Sequence, residues 1–168
     1  MLIRKEEKDD HVTVREILTM AFEGESEARL VEALREKASP IISLVVENED
    51  CAVVGQVMFS PVSILGCESA KLMGLAPVSV TPEEQGKGYG AVLIKAGLQE
   101  CRHIGMDGVV LLGHAQYYPL FGFQASTVFG ITSDYDVPVE NFMALELRRG
   151  SLDNVSGKVN YHTVFNEL

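Results

Sequence analysis

The chain has 168 residues, 46% of them apolar, which is enough for one domain with a buried core and too apolar for a disordered segment. Lys and Arg number 14 against 24 Asp and Glu, and the net charge of -10 argues against nucleic acid and anionic membrane surfaces as partners while suiting a cationic substrate. No run approaches the roughly 18–20 apolar residues of a membrane span, and the charged start, Met1-Leu2-Ile3-Arg4-Lys5-Glu6-Glu7, lacks a signal-peptide core, so a cytoplasmic protein is expected.

Leu2 to Arg4 reads as a short first strand. Asp9 or Asp10 then caps a helix whose apolar positions, Val14, Ile17, Leu18 and Ala21, recur at helical spacing. Gly24 interrupts it. A second helix is expected from Glu25 to Lys37, with Leu30, Val31, Leu34 and Ala38 on one side and Pro40 as its stop. The period then changes. Ile42 to Glu47, Ala52 to Ile64 and Lys71 to Val80 read as strands joined by short turns, an antiparallel meander. Pro77 inside the third strand removes a ladder donor and predicts a bulge or a frayed edge. Gly88 to His103 is the clearest helix, with Ala91, Ile94, Leu98 and Cys101 on its apolar face and Gly105 as its C-terminal cap. Val109 to Leu112 is continuously apolar, as in a strand buried on both faces. Strand, helix and strand make a right-handed parallel crossover. A short helix over Tyr117 to Phe121 and a strand over Phe142 to Leu147 follow. The expectation is one mixed α/β domain over residues 1–168.

Cys51, Cys67 and Cys101 are odd in number and share no metal-ligand spacing, so they read as free thiols, and no metal is expected. The informative stretch is Val78-Ser79-Val80-Thr81-Pro82-Glu83-Glu84-Gln85-Gly86-Lys87-Gly88-Tyr89-Gly90. A strand passes through a Pro-containing turn into a Gly-rich loop that opens a helix. Unpaired N–H groups at a helix start bind anions, and glycines let a phosphate approach the backbone. With the global field negative, Lys87 and Lys95 must help locally. Gly86, Gly88 and Ala91 also fit the dinucleotide fingerprint, but five residues separate strand from glycines where that motif needs a tight turn, and no acid ends the following strand. No Gly-Lys-Ser/Thr appears, which excludes a Walker loop.

The spacing Gln85-x-x-Gly88-x-Gly90, preceded by Val80-Thr81-Pro82-Glu83-Glu84, resembles the acyl-coenzyme A loop of the GCN5-related N-acetyltransferases (GNAT). Tyr118-Pro119-Leu120-Phe121-Gly122-Phe123 is similar to that family's second signature, a Tyr four residues before Gly-Phe. Glu27-Ala28-Arg29-Leu30-Val31, Gly113-His114-Ala115-Gln116-Tyr117-Tyr118-Pro119 and Val155-Ser156-Gly157-Lys158-Val159-Asn160-Tyr161 look like a branch of small predicted N-acetyltransferases. The resemblance implies a mixed, mostly antiparallel sheet with one parallel crossover pair and helices on both faces. It implies acetyl-CoA as co-substrate, its pyrophosphate on the amides of Gln85, Gly86, Lys87, Gly88, Tyr89 and Gly90, and its pantetheine arm along Val78, Ser79 and Val80. A backbone N–H near Val78 would steady the developing oxyanion. Tyr118 becomes the general acid for the leaving thiolate. Glu27, or a water chain, becomes the base, with Glu25 on the same helix. His114 stands where the family often has Asn; contact with the cofactor arm, base chemistry and simple packing all remain open for it. The expected function is acetyl transfer from acetyl-CoA to a primary amine, on a small molecule or a protein, by direct transfer in a ternary complex. A non-catalytic acyl-CoA sensor is the alternative, and it would not need Tyr118. The tail after Phe142 is expected to shape the acceptor pocket or a homodimer seam.

Overall fold

A computed structural model describes residues 1–166. It divides into two compact units that interleave along the chain. The first takes Met1–Ser60, Ala76–Glu100 and the chain from Thr163; the second takes Pro61–Leu75 and Cys101–His162. In chain order the elements are β1 (Leu2–Lys5), α1 (His11–Phe22), α2 (Ser26–Lys37), β2 (Ile42–Glu47), β3 (Val53–Ile64), β4 (Leu72–Val80), α3 (Tyr89–His103), β5 (Gly108–Leu112), β6 (Gln124–Ala125), β7 (Ile131–Thr132), β8 (Phe142–Glu146) and β9 (Gly157–Asn160). No helix among the described residues is long and apolar enough to cross a membrane.

In the first unit β1, β2 and β3 form successive antiparallel pairs, with Ile3 opposite Val46 and Val45 opposite Gln56. The Thr81 N–H bonds to the Val54 carbonyl at 2.8 Å and Ser79 lies beside Gly55, so β4 runs antiparallel to β3. α1 buries Val14, Ile17 and Leu18, with Ala21 only half-buried at the edge of the stripe. α2 buries Ala28, Leu30, Val31 and Leu34, and the two helices share a core with Val45 and Met58. Phe59 points the other way, as the strand period requires, and meets α3 at Gly97, where a Cβ would overlap its ring. Helices therefore cover both faces of this sheet.

Asp10 stands at the start of α1, but its carboxylate does not cap that helix. It accepts from Arg4 Nη1 and Nη2 at 2.7 and 2.9 Å and from the Glu7 N–H at 2.7 Å. The bidentate guanidinium is the stronger partner, and it holds the Asp10 carboxyl below its ordinary range.

In the second unit β4 pairs in parallel with β5 from Leu72 opposite Gly108 to Gly74 opposite Val110. β8 lies antiparallel to β5 over five residues and antiparallel to the two-residue β6. β9 adds antiparallel to the end of β3 and parallel to β7, a second parallel contact beyond the expected crossover. Val109, Val110 and Leu111 are buried as expected, while Leu112, at the strand end, is 45% exposed. Gly105 closes the end of α3 with φ +83°, and the Met106 N–H reaches back to the Cys101 carbonyl at 3.0 Å. The chain is a mixed α/β fold whose sheet is mostly antiparallel, with the parallel crossover β4–α3–β5.

Candidate functional site

The Gly-rich loop belongs to the first unit. Pro82 to Glu84 form a single 3-10 turn after β4, and the Gln85 side chain then donates to the Val80 carbonyl at 3.0 Å, tying the loop to the strand end. Gly86 and Gly88 adopt φ of +79° and +90°. A Cβ built at either would meet nothing within 4 Å. Packing therefore does not demand glycine there; the backbone conformation does, and the space above it is open. The first α3 hydrogen bond runs from the Val92 N–H to the Gly88 carbonyl at 3.2 Å. The N–H groups of Tyr89, Gly90 and Ala91 precede it and have no partner within the helix. Gln85, Gly86, Lys87 and Gly88 are exposed, whereas Tyr89 buries its ring and offers only its backbone. Lys87 is the local cation. Its ammonium is held by Glu84 at 2.8 Å, which raises its pKa. The donor set and the open space above the two glycines fit a pyrophosphate, with Glu84 as a competitor for the lysine.

On β4, Val78 and Val80 are half-buried on one face, and Ser79 turns inward at 4% exposure. The Ser79 hydroxyl has no hydrogen-bond partner among the described residues, nor does that of Ser60 or the Gln56 side-chain oxygen. Only the Ser79 backbone is left to serve a ligand. Glu27 lies half-buried in the first turn of α2 and makes no ion pair among the described residues. Glu25, its neighbour, is engaged by Arg29 at 2.9 Å and Arg15 at 3.4 Å. Of the two carboxylates, Glu27 is the one without an ion pair among the described residues.

Tyr118 belongs to the second unit, at the start of a 3-10 turn, Tyr118–Phe121, closed by Gly122 at φ +96°. Its ring stands edge-on to Phe123 at 6.0 Å and to Tyr117 at 5.1 Å. It also lies against Gly113, where a Cβ would overlap the ring. The signature thus has a physical reading: Gly122 turns the chain, Phe123 enters the core, and the two fix the phenol. Burial, then the neighbouring Tyr117, raises the Tyr118 pKa above its ordinary value, so the phenol carries its proton at neutral pH. His114 is exposed, and its carbonyl accepts from the N–H groups of Tyr117 and Tyr118 at 3.1 and 3.4 Å. Its backbone organises the Tyr118 turn whatever its imidazole does. Sequence reading missed Gly113, although a glycine directly after a buried strand and five residues before an aromatic signature is a signal of close approach.

The acetyltransferase (GNAT) domain family matches residues 2–126. The uncharacterized N-acetyltransferase YhbS of Escherichia coli K12 is 33% identical over 168 residues, the whole of both chains. The uncharacterized N-acetyltransferase YjhQ of the same organism is 39% identical over 139 residues, 80% of this chain and 76% of the relative. The crystal structure of E. coli YhbS in complex with CoA superimposes with a TM-score of 0.91 at 32% identity, covering 98% of this chain and 91% of that one. A GNAT family acetyltransferase from Brucella melitensis in complex with acetyl-CoA gives 0.80 at 38% identity, covering 98% and 97%. Fold, signatures and relatives agree: this chain belongs to the GNAT acetyltransferase family.

Proposed function

We propose that the chain binds acetyl-CoA and transfers its acetyl group to a primary amine by direct transfer in a ternary complex. The observation that carries this reading is the loop: two positive-φ glycines with open space above them, at a helix start whose first amides lack partners. The amides from Gln85 to Gly90 and the Lys87 ammonium hold the pyrophosphate, and the backbone of Val78, Ser79 and Val80 holds the pantetheine arm. Bound acetyl-CoA supplies the thioester whose acetyl group moves. The Val78 N–H donates to the oxygen that gains negative charge. Glu27, directly or through water, takes the proton of the amine, and Tyr118 gives one to the departing thiolate. Cys101 is buried, the Cys67 thiol faces the Asn154 and Ser156 carbonyls, and Cys51 has no basic partner among the described residues, so a covalent acyl-enzyme is disfavoured. The interleaving of the two units along the chain supports reading residues 1–168 as a single transferase domain.

Calorimetric titration with acetyl-CoA, followed by an amine screen that reads free-thiol release, tests the proposal. Saturable binding and turnover of at least one amine are expected. Absence of cofactor binding at high micromolar ligand removes it, and binding without turnover across the panel leaves a sensor instead of an enzyme.

A further inference from the structure

A polar line runs across the sheet of the first unit. The Glu6 carboxylate, its side chain only 3% exposed, accepts from Arg35 on α2 and from the Ser43 hydroxyl on β2. Ser43 accepts in turn from Gln56 Nε2 on β3 at 3.0 Å. The single Ser43 proton is committed to Glu6, so Gln56 has to present its NH₂ there and not its oxygen. A planar amide that turns its nitrogen to β2 turns Oε1 away from it.

On the other side of β3 lies β4. The Thr81 N–H bonds to the Val54 carbonyl at 2.8 Å, and two residues back along β4 and on along β3 bring Ser79 opposite Gln56. The Ser79 carbonyl lies 2.9 Å from a Cβ built at Gly55, in keeping with that register. Opposed residues share a face, with Cβ atoms about 5 Å apart. This face is apolar around them: Met58, next on it along β3, shares a core with Val14, Leu18 and Leu34. Gln56 is 0% and Ser79 4% exposed, and neither Gln56 Oε1 nor Ser79 Oγ has a hydrogen-bond partner among the described residues. Two buried polar atoms left unpaired in an apolar layer each carry a desolvation penalty that one shared partner removes.

We propose that one ordered water bridges Gln56 Oε1 and the Ser79 hydroxyl, and that Gln56 is through it a positioning residue for the cofactor strand. The water accepts from the Ser79 O–H and donates to Oε1. Ser60, which carries the other unpaired hydroxyl of β3, lies four residues further along, about 13 Å away, and takes no part. The inference rests on the transferase reading above, in which the backbone of Val78 to Val80 holds the pantetheine arm and Glu27 takes the amine proton. Arg35 ends the line on α2, the helix that carries Glu27, and Ser79 ends it on β4. The line therefore holds the helix of the base and the strand of the cofactor to one frame. A strand end fixed before the ligand arrives needs less ordering on binding.

A crystal structure of the full chain, beside calorimetric titration with acetyl-CoA, tests the proposal. One ordered water is expected within about 3.2 Å of both atoms. Ser79→Ala removes the donor and should weaken acetyl-CoA binding about three- to tenfold. Ser79→Thr keeps the hydroxyl and should bind as wild type does, a rescue that a packing role alone would not give. Gln56→Met removes the acceptor, and the double variant with Ser79→Ala should bind no more weakly than the weaker single one. The two Ser79 variants and the crystal structure decide the outcome even where Gln56→Met does not fold. Wild-type protein that binds no acetyl-CoA overturns the transferase reading and the positioning role together. Acetyl-CoA bound by wild type and equally well by Ser79→Ala, losses that add in the double variant, or density with no water between the two atoms overturns this proposal alone.

Discussion

The loop at Gly86–Gly88 and the turn at Tyr118 both depend on glycine, for opposite reasons. In the loop the glycines face open space and are fixed by φ of +79° and +90° alone. At the turn, Gly113 is fixed by contact, because the Tyr118 ring lies on it. A residue that protein packing does not explain points to a guest, whereas one that packing does explain points to a side chain being held still. The first pattern suits binding and the second suits a group that must deliver a proton from one position. The contrast predicts that lesions in the loop act on affinity and lesions at the turn act on turnover or stability.

The largest expected effect is Tyr118→Phe. The ring packing against Gly113, Tyr117 and Phe123 survives, and only the hydroxyl, the proposed proton donor, is lost. We expect kcat to fall about 100- to 10,000-fold with unchanged acetyl-CoA affinity. Because burial raises the phenol pKa above 10, the wild-type kcat should hold through neutral pH and decline only on the alkaline side of that value. Steady-state kinetics across pH, beside calorimetry, checks both. Unchanged kcat would take Tyr118 out of its role.

Next comes Gly113→Ala. Here the neighbours cannot yield without moving the phenol, and inserting a methyl into such a contact costs about 1–3 kcal/mol. Chemical denaturation should show that loss, with kcat reduced and cofactor affinity near wild type. A variant as stable as the parent would mean that the Tyr118 turn is looser than its contacts imply.

The sequence made this contrast half visible. Periodicity located β2 at its observed bounds and placed α1, α2 and α3 within a residue or so, because each buries a regular stripe. The Gly-rich entry into α3 was legible because its cause is local: glycines, a turn and a helix start within a dozen residues. What stayed hidden was long-range. Gln56 donates to Ser43, Ser43 to Glu6, and Arg35 to Glu6, a polar line assembled from α2, β2, β3 and the loop after β1. Asp10 reads as a helix cap and instead serves Arg4. Gly74 beneath Tyr161 joins positions that no local pattern relates. Side chains at such places are chosen by partners that the sequence leaves unmarked.

Gly88→Ala turns the comparison to the loop. The left-handed conformation costs a non-glycine residue about 1–2 kcal/mol, but a Cβ at Gly88 meets nothing within 4 Å, so the loop there can relax instead of straining the fold. Acetyl-CoA affinity should drop about tenfold while the melting temperature scarcely moves, the reverse of Gly113→Ala. Calorimetry and thermal unfolding on the two variants together decide it, and a matching loss of stability would place the loop among the packed regions.

The smallest effect should come from Glu84→Gln. Lys87 is exposed and shares its ammonium with Glu84 at 2.8 Å, an arrangement in which solvent screens most of the attraction. Removing the carboxylate frees the lysine and deletes a negative charge beside the proposed pyrophosphate loop, so acetyl-CoA should bind a few-fold more tightly, most visibly at low salt. The same substitution should leave kcat alone, since Glu84 has no part in proton transfer. Titrations at two ionic strengths read the outcome. If affinity instead falls, Glu84 is holding Lys87 in its working position, and the lysine belongs with Tyr118 among the groups that this fold fixes through a neighbour.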